Sequence, residues 1–208
     1  MKKILSFILS AAAVLTLASC SGNDADTNAD SAAATDTQAS EQTTEEGTDD
    51  TTANVSAKDL LSVLTAMVEN APESIVYDNA EKPLSAINFI SCFGGEVEFD
   101  DNFEPIYPAV MNKVEEYAFC MPTGKSPIEI DVFKVKEGED VKDIQTLCAD
   151  RIQKIKDSDI KVYDQEGICD KVFPLMTVYT SGRYVIMISV ENPEEVKLTA
   201  DALLMQEQ

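Results

Sequence analysis

The sequence predicts an α+β domain: an antiparallel four-stranded sheet with helices packed on one face, preceded by an N-terminal helix. Three observations carry this. Residues 114–204 hold two pairs of strand-like runs, each pair followed by a helix-like run; turn sequences join the runs; and a helical pattern over residues 57–70 comes first. The resulting order, ββα-ββα, suits an antiparallel sheet with its helices on one side.

The first helix runs from Ala57 to Asn70. Ser56 and Asp59 form a variant capping box, with Asp in place of Glu or Gln. Leu60, Leu61, Leu64, Met67 and Val68 make its apolar face, and Pro72 ends it. Residues 71–110 are broken by Pro83, Pro105 and Pro108. Within them the apolar run Ala86–Phe93 reads as a strand, stopped by Gly94 and Gly95.

Val114–Met121 reads as a strand and Pro122, Thr123 and Gly124 as a turn. Ile128–Lys136 is the next strand. Ile128, Ile130 and Val132 alternate with Glu129 and Asp131, and then the apolar phase passes to Phe133 and Val135. A slip by one residue turns side chains to the other face, so a bulge or strand end is expected near Val132. A helix follows over Asp140–Asp157, capped by Asp140 and supported by Asp143 in its first turn. Val141, Ile144, Cys148, Ile152 and Ile155 form its buried stripe, with Leu147 beside them.

Val172–Thr180 and Tyr184–Val190 form a hairpin around Ser181, Gly182 and Arg183. Pro174 makes the former an edge strand or irregular in its early part. Tyr184–Ile188 is apolar on both faces, as a central strand should be. Asn192 and Pro193 open the last helix, whose buried face is Val196, Ala200, Leu203 and Leu204.

The start of the chain has a different character. Lys2 and Lys3 precede an apolar stretch from Ile4 to Ala18, and Leu17, Ala18 and Ser19 lead directly to Cys20. This is a secretory signal over residues 1–19 with a lipoprotein cleavage site before Cys20. The apolar core falls short of the roughly 20 residues that cross a bilayer. The expectation is a diacylglyceryl lipid on Cys20 and attachment to the extracytoplasmic face of the cell membrane. Residues 20–56 comprise the lipidated cysteine and a polar, acidic, Thr- and Ser-rich linker that lacks aromatic residues, Lys and Arg. Such a composition cannot bury enough apolar surface to order itself, and as a coil it spans about 30–36 Å.

Of 38 acidic residues nine lie in that linker, leaving 29 acids against 14 bases in residues 57–208. Nucleic acid is excluded as a partner, because binding it needs phosphate neutralisation by Lys and Arg. The expected partners are the membrane, through the lipid on Cys20, and an envelope protein, wall component or small solute. Histidine is absent, which removes the usual general base and any mixed Cys/His zinc site. Cys92, Cys120, Cys148 and Cys169 permit two disulfides in any of three pairings and match no C-x-x-C motif; Cys148 is expected in the core.

No catalytic residue, metal ligand or cofactor site is assigned from the sequence, and the chain reads as a binding module rather than an enzyme. The alternative is a wall or glycan hydrolase using the paired carboxylates Glu129 and Asp131, which the strand pattern puts on a solvated polar face. Three weaker features are an acidic segment over Glu96–Glu104 without calcium-loop spacing, the tyrosines Tyr77, Tyr107 and Tyr117 as stacking surfaces, and Lys171, Arg183 and Tyr184 as an anion site.

The stretches EEYAFCMP before IEIDVFKVK, VKDIQTLCADRIQKIK and GRYVIMISVENPEEV, together with the lipobox and acidic spacer, resemble a family of uncharacterised lipoproteins from Gram-positive, clostridia-like bacteria with a C-terminal domain of unknown function. The resemblance covers about residues 114–204. The family has no assigned activity, so the resemblance implies no functional residues.

Overall fold

The computed structural model describes residues 54–164 and 166–205. The signal, Cys20 and most of the linker lie outside the described residues. The described chain is α+β: a five-stranded antiparallel sheet, a separate two-stranded hairpin, six helices and a short 3₁₀ segment.

Helix α1 (Ala57–Ala66) opens at Ser56, whose hydroxyl accepts the Asp59 N–H at 3.0 Å and donates to the Asp59 carboxylate at 2.7 Å. It stops four residues earlier than the sequence pattern suggests. Strand β1 (Ser74–Asp78) lies in the stretch that carried no clear sequence pattern. The apolar run expected to be a strand is helix α2 (Ala86–Phe93). Its Ser85 hydroxyl accepts the Asn88 N–H, and Ala86, Phe89, Ile90 and Phe93 make a buried face. An eight-residue apolar run has no polar face to reveal its period, which is why helix and strand look alike there. Gly94, at φ +109°, ends it in a conformation that side chains disfavour.

The chain continues through hairpin β2 (Glu98–Phe99) and β3 (Pro105–Ile106), the 3₁₀ segment Ala109–Lys113, β4 (Val114–Pro122) and β5 (Glu129–Val135). Helix α3 (Lys142–Asp157) starts two residues after Asp140, whose carboxylate accepts the Lys142 N–H at 2.9 Å. Short helices α4 (Ile160–Tyr163) and α5 (Ile168–Val172) lie where no element was expected, except at Val172, the expected start of a strand; β6 (Thr177–Ser181) begins only after Pro174. Strand β7 (Tyr184–Ser189) and helix α6 (Pro193–Leu204) complete the fold; Asn192 precedes α6 without a side-chain capping bond.

The sheet order is β1-β4-β5-β7-β6, so β1 supplies a fifth strand to the expected four. Helices cover both faces, not one. Ala118, Ile130, Val132, Ile186 and Ile188 pack with α1 and α6. Phe119, Phe133, Val185 and Met187 pack with α2 and α3. On this second side Phe89, Phe93, Phe119 and Phe133 gather with ring centroids 4.7–6.2 Å apart. Each such side chain removed from water contributes about 1.5–3 kcal/mol.

Coverage on both faces explains the apparent slip in β5. Every residue of β5 is buried, and its pairing with β4 and β7 runs without interruption through Val132. The phase does not shift. Ile130, Val132 and Lys134 face one helical layer; Glu129, Asp131, Phe133 and Val135 face the other. The register irregularity of this pair lies between Val114 and Glu116 on β4.

Candidate functional site

The densest buried chemistry lies where α2 and α3 meet the middle of the sheet. Glu129 and Asp131, two residues apart on β5, point to that side; they are 2% and 0% exposed. The solvated polar face expected for them is instead closed by α3. Glu129 is satisfied by Arg151 of α3 in a bidentate pair, Nε to Oε1 at 2.8 Å and Nη2 to Oε2 at 2.6 Å. Arg151 Nη1 also reaches the Cys92 carbonyl at 3.5 Å, and its guanidinium lies 5.9 Å from the Phe93 ring centroid.

Asp131 has no such partner. Neither carboxyl oxygen meets a hydrogen-bond donor among the described residues. Burial, and then the neighbouring Glu129 charge, hold its carboxyl well above the usual carboxylate range, against a smaller pull from Arg151. This enclosure favours the protonated form of Asp131, with its proton directed toward Glu129. Burial and the proximity of Asp131 likewise push the Cys148 thiol far up. Burial raises the Cys92 thiol too, with Arg151 opposing. A neutral, enclosed thiol such as Cys148 is a poor nucleophile. The arrangement can store a proton in the core, and both carboxylates are buried. A cleft of about 210 Å³ lined by Tyr77, Leu84 and Met121 reaches Cys92, and Asp131 is not part of its lining.

No protein-family model, curated protein or solved structure matches this chain.

A second polar cluster was not anticipated. Lys134, 2% exposed on the opposite face of β5, donates to Asn54 Oδ1 at 2.7 Å and Glu116 Oε1 at 3.2 Å, and lies 3.5 Å from Glu115. Glu116 also accepts the Ala57 N–H at 2.8 Å, and the Tyr184 hydroxyl donates to the Val55 carbonyl at 2.5 Å. Together these contacts fasten residues 54–57 to the end of the sheet.

The weaker sequence candidates are dispersed. Arg183 pairs with Glu115 at 2.7 Å and Lys171 with Glu191 at 3.8 Å, while Tyr184 reaches Val55, so the three do not converge on an anion site. Tyr117 is buried and stacks on Phe119 at 4.5 Å; Tyr107 donates to the Leu84 carbonyl; Tyr77 lies under the Lys82 ammonium. The four cysteines outside the signal region are free thiols, and Cys148 is in the core. Among the described residues no group of three or more Cys, Asp or Glu side chains is arranged to hold a metal ion.

The acidic segment Glu96–Glu104 holds β2 and the turn of the β2–β3 hairpin. Asp100 Oδ1 accepts the N–H groups of Asn102 at 2.9 Å and Glu104 at 2.8 Å, which fixes the turn. Phe103 is held at φ +64° and is 86% exposed, with Phe99 at 57%.

Two sequence signals bore on the buried cluster. Arg151 lies three residues after Cys148 and one before Ile152, so it sits against the apolar stripe of α3. A cation on a buried stripe calls for a buried anion. Glu129, in a strand of uniformly buried residues, is the matching group.

Proposed function

We propose that this chain is an extracytoplasmic lipoprotein, held to the membrane by lipid on Cys20, whose folded domain is a binding module that contacts an envelope protein through the β2–β3 hairpin. The observation that carries the binding reading is the exposure of Phe103 and Phe99 on a turn braced by Asp100. Large aromatic side chains left in water on a fixed scaffold are what protein interfaces use as anchors, since burying them against a partner releases much free energy with little loss of conformational freedom. The surrounding Glu98, Asp100, Asp101 and Glu104 favour a partner with a basic rim. The hydrolase alternative loses its support in Glu129 and Asp131, because both are enclosed and Glu129 is committed to Arg151.

Two experiments test this. A photo-crosslinking amino acid at position 103, introduced on intact cells, is expected to give a discrete adduct that the same group at Leu198, also exposed but on α6, does not. Identical adduct patterns at both positions would remove the hairpin from the reading. Cys20→Ser is expected to abolish incorporation of radiolabelled lipid and to release the protein from the membrane fraction; a variant still lipidated and retained would overturn the anchor.

A further inference from the structure

We infer that Asp131 is a proton-operated latch for α3: neutral, it lets the helix lie closed on the sheet; ionised, it sets two carboxylates against one guanidinium and lifts the helix, opening Cys148 to solvent.

The geometry on every side of Asp131 leads there. From its own strand, Glu129 faces the same layer and is held by Arg151. From α3 come Arg151 and the Cys148 thiol, and from α2 the Cys92 thiol, with Lys154 of α3 close to Cys92. Lys154 itself is turned to the Ile90 and Ser91 carbonyls at 3.4 and 3.1 Å. The flanking strands give Phe119 and Met187 opposite Asp131, neither of which can solvate a charge. The Cys120 thiol of β4 is electrostatically linked to Asp131 but is flanked by Ser74 of β1.

A negative charge on Asp131 would have no donor to accept from. An uncompensated buried charge costs several kcal/mol of solvation, so water must reach it or the site must open. Three routes exist in principle: the sheet can part, α2 can move, or α3 can move. The sheet is hydrogen-bonded on both sides of β5. Helix α2 is tied to α3 through the Cys92, Ile90 and Ser91 carbonyls. Helix α3 lies on the sheet through Ile144, Leu147, Cys148, Ile152 and Ile155 and carries Arg151, the one cation that a second carboxylate would draw away from Glu129. Movement of α3 is therefore the route that the charge itself promotes.

The test labels the full chain with 4,4′-dithiodipyridine from pH 5 to pH 8, reading the Cys148-containing peptide by mass. At each pH the rate is divided into the rate for chain unfolded in denaturant, which cancels the intrinsic reactivity of the thiol. Opening coupled to loss of one proton makes this protection fall about tenfold per pH unit until the folded-state pKa is reached. The expected result is such a fall over at least two units. At pH 8 the labelling should also be nearly insensitive to 0–1 M urea, because a lifted helix exposes far less surface than global unfolding. Asp131→Asn should remove the pH dependence. Protection that stays flat with pH, labelling that carries the full urea dependence of global unfolding, or a slope retained in Asp131→Asn would each overturn the latch. The wild-type measurements decide the matter even where the variant fails to fold.

Discussion

Arg151→Ala is expected to destabilise the domain by about 3–5 kcal/mol, the largest loss of any single polar substitution in it. The guanidinium supplies both hydrogen bonds that satisfy Glu129, whose side chain is 2% exposed. Removing it leaves a carboxylate enclosed beside a second carboxyl group, and breaking a buried pair from one side has that order of cost. Equilibrium urea unfolding followed by far-UV circular dichroism measures it. Replacing both partners, Glu129→Leu with Arg151→Met, is expected to recover most of the loss, because no charge is then stranded. A single-variant loss below about 1 kcal/mol would mean that the pair is solvated in solution and that α3 does not close over it.

The second large effect concerns pH. Because the folded-state pKa of Asp131 is raised, the native chain binds a proton that the unfolded chain releases. Its contribution to stability is complete below the unfolded value of about 3.9 and is lost as pH rises toward the folded value. Wild-type stability should therefore fall as pH rises above the unfolded value, by up to about 1.4 kcal/mol per pH unit until the folded value is reached. Asp131→Asn carries no ionisable proton and should abolish that slope, so that its stability relative to wild type is better at pH 8 than at pH 5. Urea midpoints for both proteins across that range test the sign directly; a wild type that becomes more stable toward pH 8 would contradict a neutral Asp131. Thiols of the unfolded chain ionise near pH 8.5, so the interval below pH 8 isolates the carboxyl group.

Much of the fold was legible in the sequence where a pattern reported burial directly. Strand β7 is apolar on both faces and does lie between two neighbours, β5 and β6. The apolar stripe of α3 placed Cys148 in the core, where it is 0% exposed. Strand β5 obeys the same physics but disguises it. Glu129, Asp131 and Lys134 interrupt its apolar run, and each reads as a solvent signal when seen alone. Their partners come from other elements: Arg151 lies 22 residues from Glu129, and Asn54 lies 80 residues from Lys134. Charge matching across such distances leaves no local periodicity. Mistaking these residues for a polar face also removed the helical layer that covers them, which is how two layers became one. Strand β1 escaped for another reason: five residues at a sheet edge, half-buried for the most part, carry no strong alternation.

The attachment at residues 54–57 has a mechanical consequence. Asn54 is bonded to Lys134 on β5, Val55 to Tyr184 on β7, and Ala57 to Glu116 on β4. A pull arriving along the chain at Asn54 is thus divided among three adjacent strands before it reaches the body of α1. Load therefore enters the domain through the sheet as well as through α1.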